Sequence, residues 1–182
     1  WYFTGEYFIM NYPQDTWGLG GNSADSNRTL IDYDYLRFHQ NVLRKMAPNL
    51  FFGLGYSYDY HYNMSVEKTT WTEPYVDTAS FPSKSTSSGI VLPILYGDRK
   101  NILNPQGGFM LNLNYNIFLP FLGSDTYWQS LFIDVRKYIP FNLIKQRILA
   151  LRSYYWTLVS GTPPYLDYPA NRWEPISGSS SR

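Results

Sequence analysis

The chain has two histidines, and both fall where they could meet an aspartate. His39, Asp59 and His61 lie on two strand candidates joined by a tight turn, with side chains toward the same side. A metal centre needs at least three converging ligands with second-shell support. Two histidines and one carboxylate read better as polar lining of a wet face, and no metal site is expected. Asp134 and Arg136 sit two apart on the polar face of another strand candidate. They could contact a loop that plugs a barrel, or form an ordinary charge ladder on a solvated sheet face. Ser-His-Asp chemistry lacks a nucleophile elbow, because no Gly-x-Ser-x-Gly occurs. Trp17-Gly-Leu-Gly-Gly-Asn22 is glycine-rich, but neither Lys-Ser nor Lys-Thr follows it and no helix opens after it. A phosphate cradle needs both, so this is a loop. No catalytic residue and no cofactor site is expected.

The elements that must carry these residues are strands. Residues 109–119 alternate with a period of two. Phe109, Leu111, Leu113, Tyr115, Ile117 and Leu119 point one way, and Asn112, Asn114 and Asn116 point the other. Similar alternation marks residues 1–10, 31–44, 51–64, 87–97, 108–120, 127–140 and 147–160. No helix is expected. Ala47-Pro48-Asn49 reads as a tight turn, and Pro93 as a bulge or local distortion in its strand. Residues 11–30, 65–86 and those after Gly161 are long and polar. Links near 48 and at 141–146 are short, as is 121–126.

Composition narrows the setting. The formal charge of +1 on 182 residues gives no sign of nucleic-acid binding. Aromatic residues make up 19%, including 18 Tyr and 6 Trp, which fits the aromatic girdles of an outer-membrane barrel. With no cysteine there is neither a disulfide framework nor a thiolate metal site. No apolar run approaches the ~18 residues a membrane-spanning helix needs. Mean hydropathy is −0.34, which half-polar barrel strands also give. Two architectures share this pattern. A soluble β-sandwich would bury the apolar faces in a core. A transmembrane barrel would show them to lipid and turn the asparagines to a wet lumen. Strands of 10 to 14 residues and the alternation of long and short links favour the barrel.

Residues 97–109, Gly-Asp-Arg-Lys-Asn-Ile-Leu-Asn-Pro-Gln-Gly-Gly-Phe, resemble a periplasmic-turn hallmark of the BamA/TamA family of outer-membrane proteins. Arg99, Asn101, Asn104, Pro105, Gly108 and Phe109 match it. Gly97 and Lys100 stand where that family usually or often has Asp. Tyr12–Asn22, Phe121–Asp125, Asp134–Tyr138 and Ser160–Asp167 are similar to further family stretches in the same order.

The resemblance implies an all-β fold of antiparallel up-and-down strands. About seven strands of a sixteen-stranded transmembrane β-barrel would be present, open as a fragment of a longer protein. Residues 161–182 would begin a long extracellular plug loop, with Arg182 a candidate for its tip. The family's periplasmic POTRA domains have no counterpart in residues 1–182. Asn112, Asn114, Asn116, Asp134 and Arg136 would face the lumen. The family inserts and folds outer-membrane proteins, or moves proteins across the outer membrane, with no cofactor and no covalent chemistry. Expected partners are outer-membrane lipid, unfolded client proteins and accessory lipoproteins, not nucleic acid. Two alternatives remain at this point. One is a barrel that anchors or secretes a fused hydrolase. The other is a soluble, aromatic-rich β-sandwich that binds ligands.

Overall fold

A computed structural model of the chain describes residues 1–16, 29–67, 82–99, 107–142 and 147–169. Its strands are β1 (Tyr2–Asn11), β2 (Gln14–Thr16), β3 (Thr29–Ala47), β4 (Leu50–Glu67), β5 (Ser85–Gly97), β6 (Gly108–Phe118), β7 (Trp128–Asn142) and β8 (Arg147–Gly161). They form one antiparallel sheet in the order β1-β3-β4-β5-β6-β7-β8, with β2 also on β3. A sandwich needs two sheets, and all the described strands belong to this one.

The short β2 lies inside the stretch expected to be loop. Asn11 pairs with Asp34 and Gln14 with Ile31, so β1 and β2 hold a single register against β3. The two are one ribbon interrupted at Tyr12–Pro13, where proline has no N–H for the ladder. The sheet is therefore seven ribbons wide. β3 also outruns its alternating core, because Leu30 still pairs with Glu67 and Lys45 with Phe51. Residues 121–126 are not plain coil. A 3-10 turn at Pro120–Leu122 ends at Gly123, with φ 98°.

The turn between β3 and β4 is tight. Ala47 pairs with Leu50, and Asn49 takes φ 63°, a left-handed conformation that asparagine tolerates. Pro93 makes no bulge. β5 keeps one register with β6 straight through it. Toward β4 the pairing lapses between Phe52–Ile94 and Gly55–Val91 and resumes in the same register. A missing donor interrupts the ladder there without shifting it.

The two faces differ sharply. One carries Leu36, Phe38, Phe52, Leu54, Ile90, Leu113, Ile133 and Leu151 across successive strands. Leu54 and Leu151 there are 60% and 51% exposed. The other face carries Arg37, Asp59, Ser87, Asn116 and Ser130. A cavity of about 240 Å³ on that polar face is lined by Glu6 of β1, Arg37 of β3, Asn114 of β6 and Trp156 of β8. Laid flat, the outermost ribbons would stand about 29 Å apart at ~4.8 Å per spacing. The sheet therefore curls toward its polar side, which becomes the inner face.

The apolar core is small and sits at the end where the long links emerge. Ile31, Tyr33, Tyr35 and Met64 are buried on the inner face, with Phe8, Val66, Tyr165 and Leu166 packed against them.

Candidate functional site

The inner face is a wall of paired charges and amides. Alternation puts Tyr35, Arg37 and His39 on one side of β3, beside Asp59 of β4. Asp59 accepts from the Tyr35 hydroxyl, from Arg37 Nε at 2.9 Å and from His39 Nε2 at 2.7 Å. Arg37 also reaches Glu6 of β1 at 3.1 Å. Farther round the curl, Asp134 of β7 is held by Arg136 Nη2 at 2.7 Å and by Arg152 Nη2 of β8 at 3.0 Å. Asn116 donates to Ser130 Oγ at 3.1 Å. Removing a charge from water is costly unless it is paired and hydrogen-bonded, and these pairings meet that cost.

A segment after β8 closes over this wall. Gly161 turns the chain with φ 83°; a side chain there would meet the Tyr127 carbonyl at 2.2 Å. Thr126 Oγ1 then donates to the Thr162 carbonyl at 2.7 Å. Pro163 is buried, and Tyr165–Asp167 make a 3-10 turn. The Tyr165 hydroxyl bonds Thr16 Oγ1 of β2 at 2.6 Å, and Asp167 accepts from Ser87 Oγ of β5 at 2.5 Å. His61 Nδ1 lies 4.0 Å from Asp167, and its ring stacks on Tyr35 at 4.3 Å. Ser87 also accepts from Trp128 Nε1 at 3.3 Å, and Trp128 stacks on Phe118 at 3.9 Å.

At the tight-turn end, Asp98 caps the start of β6. Its backbone N–H donates to the Phe109 carbonyl at 3.1 Å, and its carboxylate accepts from the Phe109 N–H. Gly108 has φ 113°, and a Cβ there would meet Asp98 Oδ1 at 2.7 Å. Only glycine fits such a position without strain. Arg99 lies over the Tyr138 ring at 5.9 Å.

The outer face carries a slanted apolar band. On β1, β3 and β4 it ends at a polar cluster in which Asp34 accepts from Asn11 at 3.1 Å and from Asn63 at 2.6 Å. On β5 it ends at Ser88, opposite Tyr58, and on β7 at Gln129. Gln129 pairs with Ile117, in the row of Ile90, Tyr56 and Gln40, six positions below Asp34 on β3. β3 and β7 are four strand spacings apart, so the edge drops about 20 Å across about 19 Å of sheet, a slant of about 45°. Membrane barrel strands tilt by ~35–45°. Along β6, Phe109 to Ile117 spans about 26 Å, or about 19 Å once slanted, which fits within the ~25 Å apolar height of such barrels. Gln40 interrupts the band, and its amide oxygen is taken up by the Tyr7 hydroxyl.

An Omp85 superfamily domain matches residues 6–163. The chain belongs to the Omp85 superfamily. Its members act in inserting proteins into the bacterial outer membrane or moving them across it. Neither a curated protein nor a solved structure gives a significant match.

In this Omp85 chain, Asn112, Asn114, Asn116, Asp134 and Arg136 share the inner face. Of the turn residues, Arg99, Gly108 and Phe109 gather around Asp98, while Asn101, Asn104 and Pro105 lie outside the described residues. Arg182 lies outside them too. His39 and Asp59 meet as alternation places them. Among the described residues no group of three or more His, Cys, Asp or Glu side chains could hold a metal ion.

Sequence reasoning missed several members. Arg152 shares a parity with Tyr154 and Trp156, a signal available in β8. Asp98 follows Gly97 and was overshadowed by its matching neighbours. Ser87 and Asp167 are 80 residues apart, and no periodicity links them.

Proposed function

We propose that the chain forms a wall of an outer-membrane barrel of the BamA/TamA type, which inserts and folds other outer-membrane proteins or passes proteins across that membrane. The observation that carries this reading is the slanted apolar band on the outside of a sheet whose inner face is paired and polar. Such a wall faces hydrocarbon on one side and water on the other. The Omp85 match supports the type of machine.

On this reading the work is noncovalent. Curved strands enclose a wet lumen, and residues from Gly161 to Arg182 begin a loop that plugs it. An exposed strand edge elsewhere in the barrel templates an incoming client strand by β-augmentation. Unfolded outer-membrane or secreted proteins are the clients, POTRA domains hand them over, and lipoproteins assist. No bond is broken and no cofactor is used.

Depletion of the protein tests the reading. Its expected result is loss of folded barrels from outer membranes, with unfolded precursors building up in the periplasm. Unchanged levels of folded outer-membrane proteins and secreted substrates would overturn it. Fractionation adds a check: the protein should run as a heat-modifiable band in outer membranes.

A further inference from the structure

We propose that the outer face carries a phosphate-binding girdle at its tight-turn end. In it, Arg44 of β3 and Lys137 of β7 hold the headgroups of anionic phospholipids in the periplasmic leaflet. The proposal rests on the proposed function for setting the sheet in the outer membrane. It adds which lipid the wall recognises and with which residues.

Depth comes first. Asp34 and Gln129 mark the polar edge of the band at the long-link end, at one level on its slant. Arg44 lies ten positions farther along β3, and Lys137 eight positions farther along β7. At about 3.4 Å per residue on strands tilted by about 45°, they sit about 24 Å and about 19 Å below that edge. The apolar height of a membrane barrel is ~25 Å. Both cations therefore reach the opposite headgroup region, within about 5 Å of one depth. Register fixes their face. Arg44 pairs with Phe52 of the outer face, and Lys137 pairs with Phe109 and Leu151. Both cations are exposed.

Chemistry and sign come next. The Arg44 guanidinium lies 5.9 Å from the centroid of the Trp1 ring, and Lys137 Nζ lies 5.9 Å from that of Phe109. Tyr96 of β5 packs on Phe109 at 6.0 Å, which continues the aromatic line between the two cations. Aromatic rings favour the membrane interface, and a cation seated on a ring face stays beside it. A guanidinium meets a phosphate with two parallel donors, and an ammonium meets it as a compact charge. The acid of the outer face is at the other edge, where Asp34 accepts from Asn11 and Asn63. Among the described residues, the carboxylate at the tight-turn end is Asp98, which accepts from the Phe109 N–H. This end of the outer face is thus complementary to anions. Arg44 and Lys137 stand four strand spacings apart, about 19 Å. They hold separate lipids, as a girdle and not a single pocket.

Fluorescence quenching in lipid vesicles tests this with the full-length protein. These 182 residues contain no cysteine, and any elsewhere in the protein would be replaced. A bimane at Phe52→Cys reports lipid beside Arg44, and one at Leu151→Cys reports lipid beside Lys137. The vesicles hold equal parts of phosphatidylcholine and phosphatidylglycerol, and one of the two carries a nitroxide near the top of an acyl chain. Labelled phosphatidylglycerol should quench about twofold or more over labelled phosphatidylcholine at both positions. Arg44→Gln should abolish that preference at 52 and leave it at 151, and Lys137→Gln should do the reverse. Arg44→Lys should keep it, as should Lys45→Gln, which removes a cation from the same end of β3 on the inner face. Inorganic phosphate should lower the preference no more than sodium chloride of equal ionic strength does. Displacement specific to phosphate would assign a free anion to these residues and overturn the lipid site. Equal quenching by the two lipids would overturn it as well, as would loss at both positions after either single change. Absence of quenching by either lipid would instead take the outer face out of hydrocarbon, and would overturn the proposed function together with the girdle.

Discussion

Arg152 of β8 places Nη2 3.0 Å from the Asp134 carboxylate of β7, which Arg136 already holds at 2.7 Å. One buried carboxylate thus joins two arginines on adjacent strands. Its side chain is 4% exposed, while the arginines are 24% and 26% exposed.

That asymmetry separates the partners. Asp134→Ala leaves two guanidinium groups facing each other without the anion between them. Loss of one partner in a buried pair costs about 3–5 kcal/mol, and partial exposure of the arginines brings this nearer 2 kcal/mol. Arg152→Ala leaves Arg136 in place and costs less, about 1 kcal/mol. Urea unfolding of the barrel in micelles should rank the variants in that order. Equal losses would show that the triad does not act through Asp134.

The faces of β6 make opposite demands. Leu113 lies between Ile94 and Ile133 on the outer face, and Asn114 lines the inner cavity. Leu113→Arg should destabilise the barrel in lipid vesicles by about 2–4 kcal/mol, as charges do at the bilayer midplane. Asn114→Arg, beside a wet cavity, should cost well under half of that. A reversed order in denaturant titrations would reverse the assignment of the two faces.

Alternation alone made much of this wall legible. It placed the asparagines of β6 opposite its aliphatic residues, and it put His39 and Asp59 on one side. It located every long ribbon, because a two-faced sheet must repeat every second residue. Curvature was not legible, since periodicity is the same in a flat and a curled strand. The continuation of β1 past Pro13 was hidden as well, because three residues are too few to show a period. Contacts such as Asp167 with Ser87 depend on where a loop returns, which is set by the tertiary fold. Arg152 was legible in principle, yet a single charge on the polar face of a strand reads equally well as a solvated one.

The turn before β6 should behave as one unit. Gly108→Ala puts a side chain at φ 113° and 2.7 Å from the Asp98 carboxylate, a combined strain of at least about 1 kcal/mol. Asp98→Ala removes the acceptor for the Phe109 N–H and costs about 1 kcal/mol. Because both changes act on the same cap, the double variant should lose less than the sum. A double-mutant cycle in urea checks this, and strict additivity would show that the carboxylate does not depend on Gly108.

The slant of the apolar band can be measured directly. Gln40 and Gln129 lie in one register row, through Tyr56, Ile90 and Ile117. In a barrel whose strands stood upright they would share one depth in the bilayer. With the ~35–45° tilt of membrane barrels, Gln129 must rise to the level of Asp34 while Gln40 stays buried in hydrocarbon. Spin labels at Asp34→Cys, Gln40→Cys and Gln129→Cys, probed with oxygen and a water-soluble nickel chelate, report those depths. Labels at 34 and 129 should match, and the label at 40 should lie more than about 10 Å deeper. Gln40 tests the design most sharply, because its amide is bonded to Tyr7. A polar group in hydrocarbon needs such a partner, whereas one at the headgroups does not. Equal depths at 40 and 129 would remove the slant, and with it the strongest physical reason to set this sheet in a membrane.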